Sequence, residues 1–395
     1  MKREKTTAII LAAGYSSRMG NFKPLLKLGE TTVLERVVGL FREAGIEDVR
    51  VVVGHRATDL APVLEKMGVR WILNERYDDG MISSVKAGVQ TLEADREAFF
   101  LLPVDIPLVR TRTLLDLVQA WQASGQGIVY PTFLGKRGHP PLISARHAAG
   151  IVGWDGSGGL RTFLAEKEGE AANVEVADEH IALDIDTPSE YQDLLDRWEN
   201  HAIPSASECM ILLTETFSVR PRVVTHSRAV ARLALHLGQA LNRRGCRLNT
   251  RLIVAAGLLH DIARGQPDHA STAARILRDL EYPAVAEIVE AHMGSGASER
   301  EFPTERHVVC LADKLVQGDR IVSLEARFRR QLDRYGRDSA ARAAIAGKLA
   351  KARTLKRRIE ETLGEPIDPN ELSEKKSGEN LFEKRFLPRP LSKNF

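Results

Sequence analysis

The sequence predicts an α/β domain on a Rossmann-like, mostly parallel sheet, followed by a separate all-α domain. Three observations carry this. Short apolar runs alternate with helical patterns from Thr6 to Trp198, and beyond Trp198 the strand signal stops. The third is length: 395 residues exceed one ordinary domain of about 150.

In chain order, TAIILAAG, DVRVVVGH, VRWIL, AFFLLPVD and GIVYPTF read as strands. VLERVVGLFREAG, SSVKAGVQTLE and TLLDLVQAWQAS read as the helices between them. Apolar strands separated by helices are the pattern of a parallel sheet covered on both faces. A first domain over residues 1–198 follows. ENHAIPSASE then opens a polar segment that reads as a linker over residues 199–216. HSRAVARLALHLGQALN, TRLIVAAGLLHDIA, HASTAARILRDL, PAVAEIVEAHM and RHVVCLADKLV are successive amphipathic or apolar helices, giving a helical domain over residues 217–360. Residues 361–395 carry prolines and mixed charge with little periodicity and read as a loose tail.

Composition excludes several classes. Apolar residues at 43% and charged residues at 28% are globular values, so a disordered or fibrous chain is not expected. Three cysteines, Cys209, Cys246 and Cys310, are too few and too scattered for a disulfide framework or a cysteine-rich metal knuckle. The charged start MKREKTT leads into no apolar stretch of about 20 residues, so a cytoplasmic protein with no membrane partner is expected. A net charge of +3 implies no nucleic-acid partner, and the basic run from Arg327 to Arg357 reads as a solvated helix face.

The first candidate site opens directly after the first strand. In IILAAGYSSRMGNFKPLL, Gly14 and Gly20 let backbone amides approach phosphates, Ser16 and Ser17 donate hydrogen bonds, and Arg18 and Lys23 neutralise a triphosphate or a departing pyrophosphate. Neither G-x-G-x-x-G nor G-x-x-x-x-G-K-[ST] is present, which excludes the common dehydrogenase and P-loop fingerprints. FFLLPVDIPLV places Asp105 at a strand end, where a divalent cation bridging to nucleotide phosphates would satisfy a buried carboxylate; the alternative is a cap for the turn before Pro107. HIALDIDTPSEY sets Asp184 and Asp186 on one face of an extended segment before a helix start at Pro188, again with a capping role as the alternative for Asp186.

The run resembles the MobA-like nucleotidyltransferase family, in particular its molybdenum cofactor cytidylyltransferase branch, whose LAAG-x-S-x-R-M-G-x-x-K pattern is met by Leu11, Ala12, Ala13, Gly14, Ser16, Arg18, Met19, Gly20 and Lys23. The resemblance implies that Ala13, Gly14, Ser16, Arg18, Gly20 and Lys23 cradle CTP or another NTP. It places Mg²⁺ at Asp105, with Asp186 as second ligand and Asp184 as the other choice, and makes Arg18, Lys23 and Asp105 the catalytic set. Gly80, Ser83 and Ser84 match more loosely, beside the sugar or triphosphate. Gly138-His139-Pro140 and the segment from Asp155 to Arg161 lie toward the acceptor, His139 being either structural or substrate-binding. A molybdopterin-type phosphorylated acceptor, and a molybdoenzyme or its maturation chaperone, are the implied partners; another phosphorylated acceptor, or a regulatory nucleotide-binding role, are the alternatives.

The helical half carries His226, the pair His260-Asp261, His269, His292 and Asp313, with His226 on the face of Val230, Leu233 and Leu237. A lone inward histidine would be a core residue, but here several metal-compatible groups occur on apolar helices. The pattern looks like the HD superfamily of metal-dependent phosphohydrolases. That resemblance makes His226, His260, Asp261 and Asp313 metal ligands, His260 and Asp261 catalytic, and His269 and His292 the extra histidines of dinuclear members. Mixed nitrogen and oxygen ligation suits one or two Mn, Fe, Ni or Zn ions.

Overall fold

The computed structural model describes residues 3–291, 303–335 and 338–369. The chain forms two compact units, 1–201 and 202–395.

In the first unit the strands are β1 (Thr6–Ala12), β2 (Lys27–Leu28), β3 (Thr31–Thr32), β4 (Asp48–Val53), β5 (Arg70–Leu73), β6 (Ala98–Pro103), β7 (Ile128–Phe133), β8 (Lys136–Arg137), β9 (Leu142–Ser144) and β10 (Ala171–Glu175). The helices are α1 (Val33–Glu43), α2 (Ala57–Lys66), α3 (Met81–Val89), α4 (Thr111–Ser124), α5 (Ala148–Gly153), α6 (Gly159–Ala165) and α7 (Pro188–Glu199). The main sheet runs β10-β7-β9-β6-β1-β4-β5, with β8 paired to β7. β1 is parallel to both β4 and β6, while β9 is antiparallel between β6 and β7, so the sheet is mostly parallel. Strand alternation divides the core. Ala8, Ile10 and Ala12 of β1 pack with Val37, Leu60, Leu117 and Leu194, whereas Ile9 and Leu11 pack with Val85, Val89, Ile151 and Phe163. Both faces are thus covered, as a parallel sheet requires. The chain leaves β1 for β4 on one side and is flanked by β6 on the other, so the order reverses at β1. In such sheets a crevice opens beyond the carboxyl ends of the strands at that point.

The second unit contains α8 (Ala206–Ile211), α9 (Pro221–Arg243), α10 (Thr250–Leu259), α11 (His269–Asp279), α12 (Pro283–Ala291), α13 (Glu305–Leu315), α14 (Leu324–Tyr335) and α15 (Ser339–Leu363). A two-stranded hairpin, β11 (Val316–Gln317) with β12 (Arg320–Ile321), interrupts the helices, a small exception to the expected all-α reading. Residues 206–216, read as linker, are helical: Ser205 caps α8 in a capping box with Glu208, and Cys209, Leu212 and Leu213 are buried. Of the expected tail, 370–395 lie outside the described residues.

The second candidate site draws on α9, the turn after α10, and α13, and α9 and α10 pack closely because Gly257 has no side chain. A Cβ there would lie 2.8 Å from the Ala231 Cα, a backbone atom that cannot swing away. Gly257→Val should therefore destabilise this unit by about 1–3 kcal/mol through overpacking. Gly347→Val, where nothing lies within 4 Å, should stay within about 0.5 kcal/mol. Urea melts of the full chain check both, and equal midpoints for the two variants would contradict the close approach.

Candidate functional site

The crevice side of the first unit gathers residues from three distant segments. After β1 the chain turns at Ser16, whose φ of 56° lies in the left-handed region. Its Oγ accepts a hydrogen bond from the Lys23 backbone N–H at 3.2 Å. This closes the loop and aims the Lys23 side chain across the crevice. Lys23 is buried, 8% exposed, and its Nζ donates to Asp105 Oδ2 at 3.0 Å and to Asp186 Oδ1 at 2.7 Å. Asp105 follows β6 by two residues, and its backbone carbonyl accepts from the Ile185 N–H at 3.1 Å, fastening the Asp184–Asp186 segment beside it. Arg18 reaches the other oxygen of Asp186 at 2.8 Å. Arg18, Lys23, Asp105 and Asp186 thus meet in space.

Burial alone would lower the Lys23 pKa, but its hydrogen bond to Asp186 and the nearby Asp105 outweigh burial and raise it. The Lys23 hydrogen bond, with Arg18, holds Asp186 below its ordinary range. Neither alternative role is adopted. Thr187, not Asp186, caps α7, in a capping box with Glu190, and the Asp105 carboxylate turns to Lys23. Two carboxylates converging on one cation form a hard oxygen donor set that fits Mg²⁺. Asp184 is exposed.

Ala13 is buried, and Gly14 and Gly20 lie exposed on the loop. Gly80 begins α3 with φ 87°. Ser84 is buried, and its hydroxyl, like that of Ser83, accepts from Asn74 Nδ2, at 2.9 and 2.8 Å. Asn74 sits one residue past β5, a strand-end position that the sequence reading passed over. Also missed was an aromatic cluster beside the loop, with Tyr15 and His55 ring centroids 4.9 Å apart and Tyr15 and Tyr77 5.5 Å apart. A hydrogen bond to Asp78 pushes the exposed Tyr15 hydroxyl up to about 12. His139 faces the charges of Asp105 and Asp184, and burial lowers its pKa.

In the second unit α10 stops at Leu259, so His260 and Asp261 lie in the turn that follows rather than within the helix. His260 Nδ1 is 2.9 Å from the Gly257 carbonyl and His226 Nδ1 is 3.1 Å from that of Gly318. A carbonyl only accepts, so each Nδ1 carries a proton, and each ring turns its Nε2 inward. Donor atoms of His226, His260 and Asp261 lie within 4.8 Å of one another. Asp313 Oδ1 approaches His226 Nε2 at 3.3 Å and His260 Nε2 at 3.7 Å, and His269 Nε2 lies 3.7 Å from Asp261. His292 lies outside the described residues.

Burial lowers the His260 pKa and so favours the neutral ring. For Asp261 and Asp313, burial alone would raise the pKa. His260 and Arg264 outweigh it at Asp261, and His226 and Arg327 hold Asp313 well below its ordinary range. The chemistry of the cluster, imidazole nitrogens beside ionised carboxylates, fits a transition metal. The sequence reading had missed Arg264, whose Nη1 donates to both carboxylate oxygens of Asp261 at 3.0 Å, though its i+3 position was a readable signal. It had also missed Gly318 of the hairpin, which orients His226.

Residues 8–176 match the MobA-like NTP transferase domain, and residues 223–317 match the HD domain. The chain is 30% identical over 184 residues to the molybdenum cofactor cytidylyltransferase of Escherichia coli (strain K12), spanning 46% of this chain and 92% of that protein. It is 27% identical over 197 residues to the nicotine blue oxidoreductase of Paenarthrobacter nicotinovorans, spanning 48% and 96%. The crystal structure of an Rv0371c homologue from Mycobacterium sp. strain JC1 superposes with a TM-score of 0.45 at 25% identity, covering 50% of this chain and 98% of that one.

Proposed function

Since the chain belongs to the MobA-like NTP transferase family and carries an HD domain in its second half, we propose that it is a bifunctional enzyme, a CTP:molybdopterin-type cofactor cytidylyltransferase joined to a metal-dependent phosphohydrolase. The observation that carries the first activity is the convergence of Asp105 and Asp186 on Lys23, with Arg18 at the same carboxylate.

In the transfer, an oxygen of the acceptor's terminal phosphate bonds to the α-phosphorus of CTP, and the bond from that phosphorus to the bridging oxygen breaks. Pyrophosphate leaves with that electron pair. The acceptor phosphate is already ionised near neutral pH, so no protein nucleophile is needed and positioning carries much of the rate. Arg18, 72% exposed at the mouth of the crevice, meets the triphosphate. Lys23 bridges the two carboxylates and places a fixed positive charge where negative charge gathers on the leaving group. The exposed turn at Gly14 and Gly20 lets backbone amides approach the phosphates. Mg²⁺ held by Asp105 and Asp186 would neutralise phosphate charge.

The acceptor rests on relatives, among them the cytidylyltransferase of Escherichia coli, and no residue named above reads a pterin ring. The test is pyrophosphate release from each of the four NTPs with Mg²⁺, with and without purified molybdopterin-type acceptor. Release should be CTP-selective, acceptor-dependent and lost in Asp105→Ala. Release that needs another acceptor would keep the transferase and replace the cofactor; no release from any NTP would remove the transferase reading.

For the second unit, His226, His260, Asp261 and Asp313 would hold the metal, with His269 beside them. Such a centre supplies an activated water and charge stabilisation at phosphorus. His260 and Asp261 sit in a turn fixed by the Gly257 carbonyl and by Arg264, which preorganises the donors. Among the described residues no helix is long and apolar enough to cross a membrane.

A further inference from the structure

The basic run that reads from sequence as a solvated face divides in the structure. On α15 three of the basic residues have carboxylate partners: Arg353 with Glu325, Lys356 with Glu360 and Arg357 with Glu361. On α14, Arg327, Arg330 and Arg334 stand at i, i+3 and i+7, one face of the helix. With Arg264, His226 and Tyr335 they line a cavity of ≈ 430 Å³ whose lining, among the described residues, includes no carboxylate. The cavity begins at the His/Asp cluster, because His226 belongs to both.

Two of its four arginines are already committed. Arg264 Nη1 donates to both oxygens of Asp261 at 3.0 Å, and Arg327 lies 3.4 Å from Asp313. Arg330 and Arg334 have no ion-pair partner among the described residues, Arg334 resting instead against the Tyr335 ring at 5.3 Å. From Arg327 to Arg334 the helix rises about 10 Å. A lone phosphoryl group at the His/Asp cluster would meet Arg264 and Arg327 and leave the outer two without a counter-charge. Gathering unneutralised guanidinium groups in a concavity costs free energy unless an anion compensates, and guanidinium is the side chain that matches phosphate oxygens.

We propose that this cavity is a polyphosphate subsite, and that the ligand of the second unit is a small molecule with at least two phosphoryl groups, one at the His/Asp cluster and another on Arg330 and Arg334. The proposal rests on the phosphohydrolase reading for the identity of the inner phosphate. The concave shape favours a small molecule, and the exposed Tyr335 at the rim offers a stacking face should the ligand be a nucleotide.

The test is calorimetric binding to the full chain loaded with Mn²⁺ and freed of excess metal, with Arg18→Gln, Lys23→Met and Asp105→Asn combined in every sample to remove the charged groups with which the first site would hold a phosphate or its metal. The probes are orthophosphate, methylenediphosphonate and an α,β-methylene nucleoside diphosphate. Both diphosphonates should bind more tightly than orthophosphate, with salt-dependent affinity, and Arg330→Gln with Arg334→Gln should weaken both at least tenfold while leaving orthophosphate unchanged. Both arginines are exposed, so the double variant should melt at the wild-type temperature. A nucleotide analogue bound more tightly than methylenediphosphonate, with the surplus lost in Tyr335→Ala, identifies a nucleotide source; equal affinities identify an inorganic or other polyphosphate. Unchanged diphosphonate affinity in the double variant, orthophosphate bound as tightly as the diphosphonates, or tighter binding of a short single-stranded oligonucleotide would each overturn the proposal. Manganese titration separates the two readings. Metal uptake that does not depend on His260 would remove the phosphohydrolase reading and leave the arginine subsite standing.

Discussion

Lys23→Met should lower acceptor-dependent pyrophosphate release about 100- to 1,000-fold, the loss that follows removal of one preorganised charge from a transition-state site. Methionine keeps the length and apolar stem of the lysine but removes the ammonium that Asp105 and Asp186 share at 3.0 and 2.7 Å. Arg18 still contacts Asp186 at 2.8 Å, so that carboxylate retains a partner and the loop retains an anchor. The Ser16 hydrogen bond to the Lys23 backbone is also unaffected by the side chain. The effect should therefore fall mainly on kcat, with a smaller rise in the KM for the nucleotide. Lys23→Arg should recover only part of the rate, because a planar guanidinium cannot occupy the point-like position between the carboxylates. Steady-state kinetics across the three proteins decide the matter, and a Lys23→Met enzyme within threefold of wild type would take Lys23 out of the chemistry.

The contact behind that prediction is instructive about what the sequence reveals. Asp105 and Asp186 lie 82 and 163 positions from Lys23, and no local pattern brings such positions together. What does so is topology. β1 and β6 are adjacent and parallel, so the segments after their carboxyl ends share one crevice. The apolar runs of β1, β4 and β6 made those strands legible. The three-residue β9 and the polar edge strand β10, AANVE, offered too short or too weak a pattern. The helix α2 was obscured by the proline at its centre, Pro62. The helix α8 was legible in principle, since Ser205 and Glu208 form the S-x-x-E capping signature, but the polar sequence before it read as linker. The His and Asp residues of the second unit were readable because apolar helices carry or directly precede them. Of the residues that neutralise or orient them, only Arg264 was signalled, by its i+3 spacing from Asp261; Arg327 and Gly318 were not, because nothing in a sequence tells what a surface arginine or a turn glycine faces until the fold decides it.

The second large effect is expected at Asp261. The neighbouring His260 is fully buried and Asp261 is 2% exposed, so the pair cannot be a solvated coincidence, and a buried carboxylate is retained against its desolvation only with compensating charge. Arg264 supplies part of that charge, and a bound cation would supply the rest. Asp261→Asn preserves the shape and one acceptor oxygen while removing the negative charge, and Arg264, half exposed, can turn to water. The variant should therefore fold, yet lose its metal. Wild-type protein at 100 times the metal's dissociation constant should gain about 2.7 kcal/mol, seen as a higher melting temperature of the second unit with Mn²⁺; Asp261→Asn should gain almost nothing. Hydrolysis of p-nitrophenyl phosphate by the metal-loaded protein should fall at least about 1,000-fold, as expected when an activated water is lost. Pyrophosphate release at the first site should stay within twofold of wild type, because Lys23, Asp105 and Asp186 are untouched. Equal manganese content in the two proteins, measured by plasma emission, would show that the cluster of His226, His260 and Asp261 is a packed polar core rather than a metal centre.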